Sequence, residues 1–380
     1  MNRRAGLLAA GLTGGVIGAL IVLALPVPGT DEVAKPPPPR IERADVETLL
    51  VWTPSQIPTG LPERIERLKS VEELTVVRSG VAWRDPRPDA QGYAIPLEIA
   101  AIDGSYRAFV PPAERSTITR LRHGGAIIGG TSASLRGADV GYRLSLGGRE
   151  LPIAGILDDT LVGAHELVVG LEEGERLGIV RPRYILVAPK AGTDPGKLEA
   201  AIRRVVPGAV RVRIRLPGET PVFRHGDAVL SQVQVKEIFG EFAAIPRSDG
   251  TLDVDEEWER ENIETGRVPV LGRVTCHRLI VPLVRAALED LDSRGLGRLV
   301  NPADFGGCYY PRYIASNEGA GISHHSWGIA IDINVSEGLP GRQPTLDRRV
   351  VDAFERQGFI WGGRFLIPDG THFEFQRFPS

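Results

Sequence analysis

The chain has 380 residues, a formal net charge of −3 and 24% charged residues, so two or three domains are expected. A charge balance this close to neutral leaves no basic footprint for a nucleic-acid partner. Two cysteines are too few to build a disulfide scaffold.

Arg3 and Arg4 precede residues 5–25, which carry no charge. As a helix this stretch would run about 30 Å, enough to cross a bilayer core. The positive flank predicts an N-in, C-out orientation. Residues 1–29 are expected to be an N-terminal membrane anchor or a cleaved signal segment; the apolar run is long for a signal, and no A-x-A site precedes Pro26. Retention makes the protein a single-pass cell-membrane protein with an extracytoplasmic C-terminal region, and cleavage would make it secreted. Residues 30–43 contain Pro36 to Pro39 and predict a semi-rigid, extended linker.

Residues 44–217 predict a separate α+β module. Residues 63–69 and 194–205 have helical patterning, with Asp194 as an N-cap. Residues 74–77, 142–146, 151–156 and 184–187 predict strands, and Gly147-Gly148 predicts a hairpin between two of them. The glycine-rich run Ala126-Ile127-Ile128-Gly129-Gly130-Thr131 fits neither a P-loop nor a dinucleotide fingerprint and is expected to be a packed turn. His123, His165 and His225 are expected to be structural or solvated. The order Ile-Gly-Gly, Gly-Gly-Arg-Glu-Leu, Ile-Ala-Gly-Ile-Leu, Tyr-Ile-Leu-Val resembles the extracytoplasmic core domain of MacB/FtsX-type permeases. That resemblance implies an interaction module with a possible protein partner, and no chemistry of its own.

Residues 218–380 form the second expected module, also α+β. Asp255-Glu256-Glu257-Trp258 leads to Val268-Pro269-Val270-Leu271-Gly272, read as a lead-in wrapping the core. Leu279, Leu283, Val284, Ala287, Leu288 and Leu291 recur at helical spacing and Gly295 follows as a stop. Thr345 is the expected cap of a second helix that turns Val350, Val351 and Phe354 inward and ends at Gly358. Outside the cytoplasm, Cys276 and Cys308 are most simply a disulfide. The rival arrangement is a metal site of Cys276, His277 and Cys308.

The chemistry concentrates in two stretches. Ser323-His324-His325-Ser326-Trp327-Gly328-Ile329-Ala330-Ile331-Asp332 offers a histidine and, seven residues on, an aspartate inside an apolar run. Pro368-Asp369-Gly370-Thr371-His372-Phe373-Glu374 adds a second histidine. Two imidazoles and a carboxylate make three protein ligands, the number that leaves a catalytic zinc one open position. In one straight strand His325 and Asp332 would face opposite sides, so Gly328 is expected to supply the turn that reunites them. His372 and Glu374 would share one strand face, with Glu374 orienting His372. His324, one position out of the pattern, is read as a substrate-side or surface residue.

The pair of motifs, SxHxxGxAxD followed by PDxxHFE, resembles the zinc peptidases of the VanY-type D-alanyl-D-alanine carboxypeptidase and L-alanyl-D-glutamate endopeptidase family. The likeness continues through Gly306-Gly307-Cys308-Tyr309-Tyr310-Pro311-Arg312 and Gly358-Phe359-Ile360-Trp361-Gly362-Gly363. It implies an α+β peptidase domain with a small antiparallel sheet, a Zn²⁺ cofactor and peptidoglycan peptides as substrate. It further implies that His325, Asp332 and His372 bind the metal. Asp369 would be the general base, Arg312 would stabilise charge on the substrate carbonyl, and Ser323 would contact substrate. The alternative is a catalytically silent, zinc-containing wall-binding or regulatory module.

Overall fold

The computed structural model describes residues 48–53, 57–86, 91–216, 230–338 and 340–379. The apolar run 5–25, the proline-rich linker and His225 lie outside the described residues, among which no helix is long and apolar enough to cross a membrane. The described residues all fall in one compact unit of mixed α+β structure.

All nine strands of the large sheet come from the first half of the described chain. They are β1 (Leu49–Trp52), β2 (Val71–Arg84), β3 (Ile95–Ile102), β4 (Ala126–Gly129), β5 (Arg143–Leu146), β6 (Arg149–Leu157), β7 (Leu167–Gly170), β8 (Pro182–Pro189) and β9 (Arg213–Arg215). Their order is β3-β7-β4-β6-β5-β2-β8-β1-β9, and β3 also pairs with β2. That extra pairing closes six strands into a ring, because the 14-residue β2 is long enough to serve β3, β5 and β8 along its length. Alternation divides the side chains: Leu97, Ile99 and Ala101 of β3 enter one core, while Ala100 and Ile102 enter another.

The hairpin at Gly147-Gly148 forms as expected. Both glycines take positive φ, which the two-residue turn between β5 and β6 requires. The run 126–131 is not a turn. Ala126 to Gly129 is the fully buried strand β4, and Gly130 opens helix α3. Gly129 is small because a Cβ there would stand 2.7 Å from Asp159 Oδ1. Here the glycines mark close packing at a strand end. The helices around this sheet are α1 (Leu61–Glu66), α2 (Arg115–Thr119), α3 (Gly130–Arg136), α4 (Leu171–Arg176) and α5 (Pro195–Val205). Asp194 caps α5 by accepting from the Lys197 N–H at 2.8 Å.

The remaining elements are α6 (Gln232–Phe239), β10 (Ala244–Pro246), β11 (Leu252–Val254), α7 (Glu256–Asn262), β12 (Ile263–Val268), β13 (Gly272–His277), α8 (Val281–Ser293), β14 (Ala330–Asp332), α9 (Arg348–Arg356), β15 (Phe359–Trp361) and β16 (His372–Phe375). The segment 255–272 is more ordered than a lead-in. Asp255 caps α7, and β12 and β13 form an antiparallel hairpin. The cap of α9 is Asp347, which accepts from the Arg349 N–H; the Thr345 hydroxyl instead donates to Glu337 O. Three strands, β14-β16-β15, make the small antiparallel sheet, backed by Phe354, Phe373 and Phe375.

A buried charge cluster joins the two halves. Lys236 on α6 and Glu166, just before β7, both have fully buried side chains, with Lys236 Nζ 2.9 Å from Glu166 Oε1. Arg136 also reaches Glu166 Oε1, at 2.7 Å, and pairs with Glu241. Glu166 Oε2 accepts from the Glu98 N–H and from Gln232 Nε2, each at 2.9 Å. Burial alone would raise the Glu166 carboxyl, but Lys236 and Arg136 hold it below the usual carboxylate range. Trp83 of β2 adds a second link by donating its Nε1–H to the Tyr313 hydroxyl at 3.2 Å.

Candidate metal centre

His325 lies in one turn of 3₁₀ helix, 324–327, whose N-cap is Ser323: its hydroxyl accepts from the His325 N–H at 3.3 Å. Gly328 closes the turn with φ 64° and ψ 33°. A Cβ at Gly328 would sit 2.5 Å from the His277 nitrogen, so both the left-handed backbone and the packing against β13 demand glycine. The chain then enters β14 and reaches Asp332. Strand β16 runs antiparallel to it and sets His372 opposite Asp332, and Glu374 opposite Ala330.

This register brings the three candidate ligands together. Their ligand atoms all lie within 4.8 Å of one another. His372 Nδ1 is 2.8 Å from Asp332 Oδ1, and His325 Nε2 is 3.2 Å from Asp332 Oδ2. His325 Nδ1 donates to the Cys308 carbonyl at 2.8 Å, which leaves the Nε2 lone pair facing the cluster. That nitrogen is buried and has no well-aligned hydrogen-bond partner. His372 Nε2 donates to Glu374 Oε1 at 3.1 Å, so its Nδ1 faces inward too.

The electrostatics favour a cation at the centre. Burial opposes charge on His372, yet the Asp332 and Glu374 carboxylates raise it well above the ordinary imidazole range. Burial likewise opposes charge on Asp332 and Glu374, and the facing imidazoles hold both low. Two inward imidazole nitrogens and a carboxylate form a donor set that could hold a divalent metal ion.

The other expected site residues make contacts of their own. Asp369 starts the turn that delivers His372: its Oδ1 accepts from the Thr371 hydroxyl at 3.0 Å and N–H at 3.3 Å. The Arg312 backbone is pinned to the His325 turn, accepting from the Ser323 N–H and donating to the Ser326 hydroxyl. Its guanidinium lies 5.6 Å from the centre of the exposed Tyr310 ring. Ser323 is buried. Cys276 and Cys308 form a disulfide, which removes the rival cysteine metal site. His277 is instead a core residue, its Nε2 3.3 Å from Phe239 O.

His324 corrects the sequence reading. It is 4% exposed, and its Nδ1 lies 3.1 Å from Glu374 Oε2. Alternation could not have found this, because the 3₁₀ turn sends adjacent side chains in directions that strand periodicity does not describe. The Lys236–Glu166 pair was also missed. Its one trace in the sequence is a lysine set between Val235 and Ile238, on what proves to be a buried helix.

No curated protein matches the chain. Among solved structures, the periplasmic region of MacB from Actinobacillus actinomycetemcomitans is 8% identical, covering 46% of this chain and 90% of that one, with a TM-score of 0.34. A domain of a putative permease protein from Porphyromonas gingivalis is 18% identical, covering 48% and 94%, with a TM-score of 0.31. The extracellular domain of the noncanonic ABC-type transporter YknZ from Gram-positive bacteria is 11% identical, covering 40% and 88%, with a TM-score of 0.29. Similarity at this level carries no functional argument. The segment that contains all three candidate ligands is different: residues 316–375 match the family model described as D-alanyl-D-alanine carboxypeptidase.

Proposed function

We propose that this chain is an extracytoplasmic, zinc-dependent peptidase that hydrolyses peptidoglycan peptides. The observation that carries the reading is the convergence of His325, from the 3₁₀ turn, with Asp332 and His372 of one antiparallel strand pair, inside the segment that matches a D-alanyl-D-alanine carboxypeptidase model. Zinc held by these three residues would supply Lewis acidity toward water and an amide carbonyl, worth several kcal/mol in the transition state. The protein's own groups do the rest. Cys308 O and Glu374 fix the tautomers of His325 and His372. The Asp369 carboxylate takes the proton of the attacking water and returns it to the leaving amine. The Arg312 guanidinium faces the carbonyl oxygen as it gains charge, and Ser323 lies on the substrate side of the turn. The N-terminal run anchors the chain in the membrane, and residues 44–217 receive a protein partner.

The test is hydrolysis of purified muropeptides by the full chain, with added zinc and with a chelator, beside Asp369→Ala. Zinc-dependent cleavage that falls by about 10²-fold or more in the variant is expected for a general base. Release of free D-Ala assigns a D,D-carboxypeptidase; cleavage between L-Ala and D-Glu assigns an endopeptidase. A second reading, a wall-binding module without catalysis, draws on the turn that Asp369 makes with Thr371. Zinc binding with no cleavage, unchanged in Asp369→Ala, would favour it.

A further inference from the structure

Glu374 stands between two imidazoles. Its Oε1 accepts from His372 Nε2, and its Oε2 lies 3.1 Å from His324 Nδ1. Glu374 and His324 are 7% and 4% exposed. Glu374 Oε2 has no well-aligned hydrogen-bond donor, and its neighbours in β16, Phe373 and Phe375, are apolar. A buried carboxylate oxygen in such surroundings needs a polar partner to stay in one rotamer. His324 is where that partner comes from. It is adjacent in sequence to the ligand His325, yet it faces Glu374 while His325 faces Asp332.

We propose that His324 is a positioning residue for the metal centre. It holds Glu374 in the rotamer that accepts the His372 Nε2–H, and so keeps His372 Nδ1 turned toward Asp332 and His325. The chain His324–Glu374–His372–Asp332 then reaches from one side of the 3₁₀ turn, through β16, to the ligand cluster on the other side. This rests on the reading of His325, Asp332 and His372 as metal ligands, and it adds a residue that touches none of the reacting atoms.

The experiment measures Zn²⁺ and Co²⁺ affinity of the full chain by competition with a chromophoric chelator. The variants are His324→Leu, His324→Asn, Glu374→Gln and the double variant His324→Leu/Glu374→Gln. His324→Leu is expected to weaken binding by about tenfold or more, the scale of lost outer partners of ligand histidines. His324→Asn, whose amide can donate from the position of Nδ1, restores most of it. The double variant binds no more weakly than Glu374→Gln alone, because His324 acts through Glu374. If His324→Leu loses its native circular-dichroism signal, His324→Gln replaces it and is expected to bind more weakly than His324→Asn. Wild-type affinity in His324→Leu, or losses that multiply in the double variant, would overturn the inference. A wild-type chain that binds neither metal would overturn the metal-centre reading itself.

Discussion

Asp332 and His372 face each other across the register of β14 and β16, with Oδ1 and Nδ1 2.8 Å apart, although 40 residues separate them in the chain. The candidate site is therefore a product of strand pairing. Removing either side chain leaves the sheet's backbone ladder intact but takes one donor from the cluster. Asp332→Ala is expected to lose stoichiometric metal binding, a larger effect than the 10–100-fold typical of outer partners. Metal content after dialysis checks this, and unchanged far-UV circular dichroism would show that the sheet survives.

The disulfide joins Cys276 of β13 to Cys308 across 32 residues. Closing a loop of this length contributes roughly 2–4 kcal/mol. Cys308 also offers its carbonyl to His325 Nδ1. A Cys276→Ser/Cys308→Ser variant should lose stability by about that amount in urea unfolding and bind metal more weakly. Loss of stability with unchanged metal affinity would mean that the Cys308 carbonyl holds its place without the covalent link.

The charge cluster gives a paired prediction. Lys236→Met leaves Glu166 buried with less compensation and should cost about 3–5 kcal/mol. Combining it with Glu166→Gln removes the stranded charge and should recover part of the loss, because the two residues touch. Chemical denaturation of the two single variants and the double variant measures the coupling. Additive losses would contradict it.

His277 predicts a pH dependence. Burial, with a smaller contribution from Arg278, pushes its imidazole down to about 4 against the opposing pull of Phe239 O. Both nitrogens suit the neutral ring: Nδ1 accepts from the Leu279 N–H and Nε2 faces Phe239 O. The folded value lies below the unfolded one of about 6.5, so the unfolded chain takes the proton first. Stability from this group is complete above pH 6.5 and falls as pH drops from 6.5 toward 4, by about 3 kcal/mol in all. His277→Gln should flatten this part of the stability–pH curve relative to wild type. Parallel curves would show that His277 is not its source.

Much of the candidate site was legible because its residues sit in short, fixed spacings. The odd separation of His325 and Asp332 demanded a turn, and Gly328 supplies it with positive φ. Alternation in β16 put Glu374 on the His372 side, where it lies 3.1 Å from His372 Nε2. Four of the nine strands of the large sheet, β2, β5, β6 and β8, were legible as short apolar runs, and the glycine pair at 147–148 by its turn chemistry; β1, β3, β4, β7 and β9 were not. What stayed hidden depends on long-range pairing. Gly129 and Gly130 looked like a turn because local sequence cannot show Asp159 and His165 packed against a strand end. His324 looked peripheral because its partner Glu374 is 50 residues away. Closure of the six-stranded ring was invisible for the same reason.

The Lys236–Glu166 junction bears on how this protein can be dissected and how it can change. Cutting the chain near residue 217 to isolate the second half would strip a buried ammonium of one of its two carboxylates and bare the surface that Trp83 covers. An inactive fragment of that kind would say nothing about whether the first half regulates the second. A graft of the second half onto another scaffold would have to carry Arg136, Glu166, Lys236 and Glu241 across as a set.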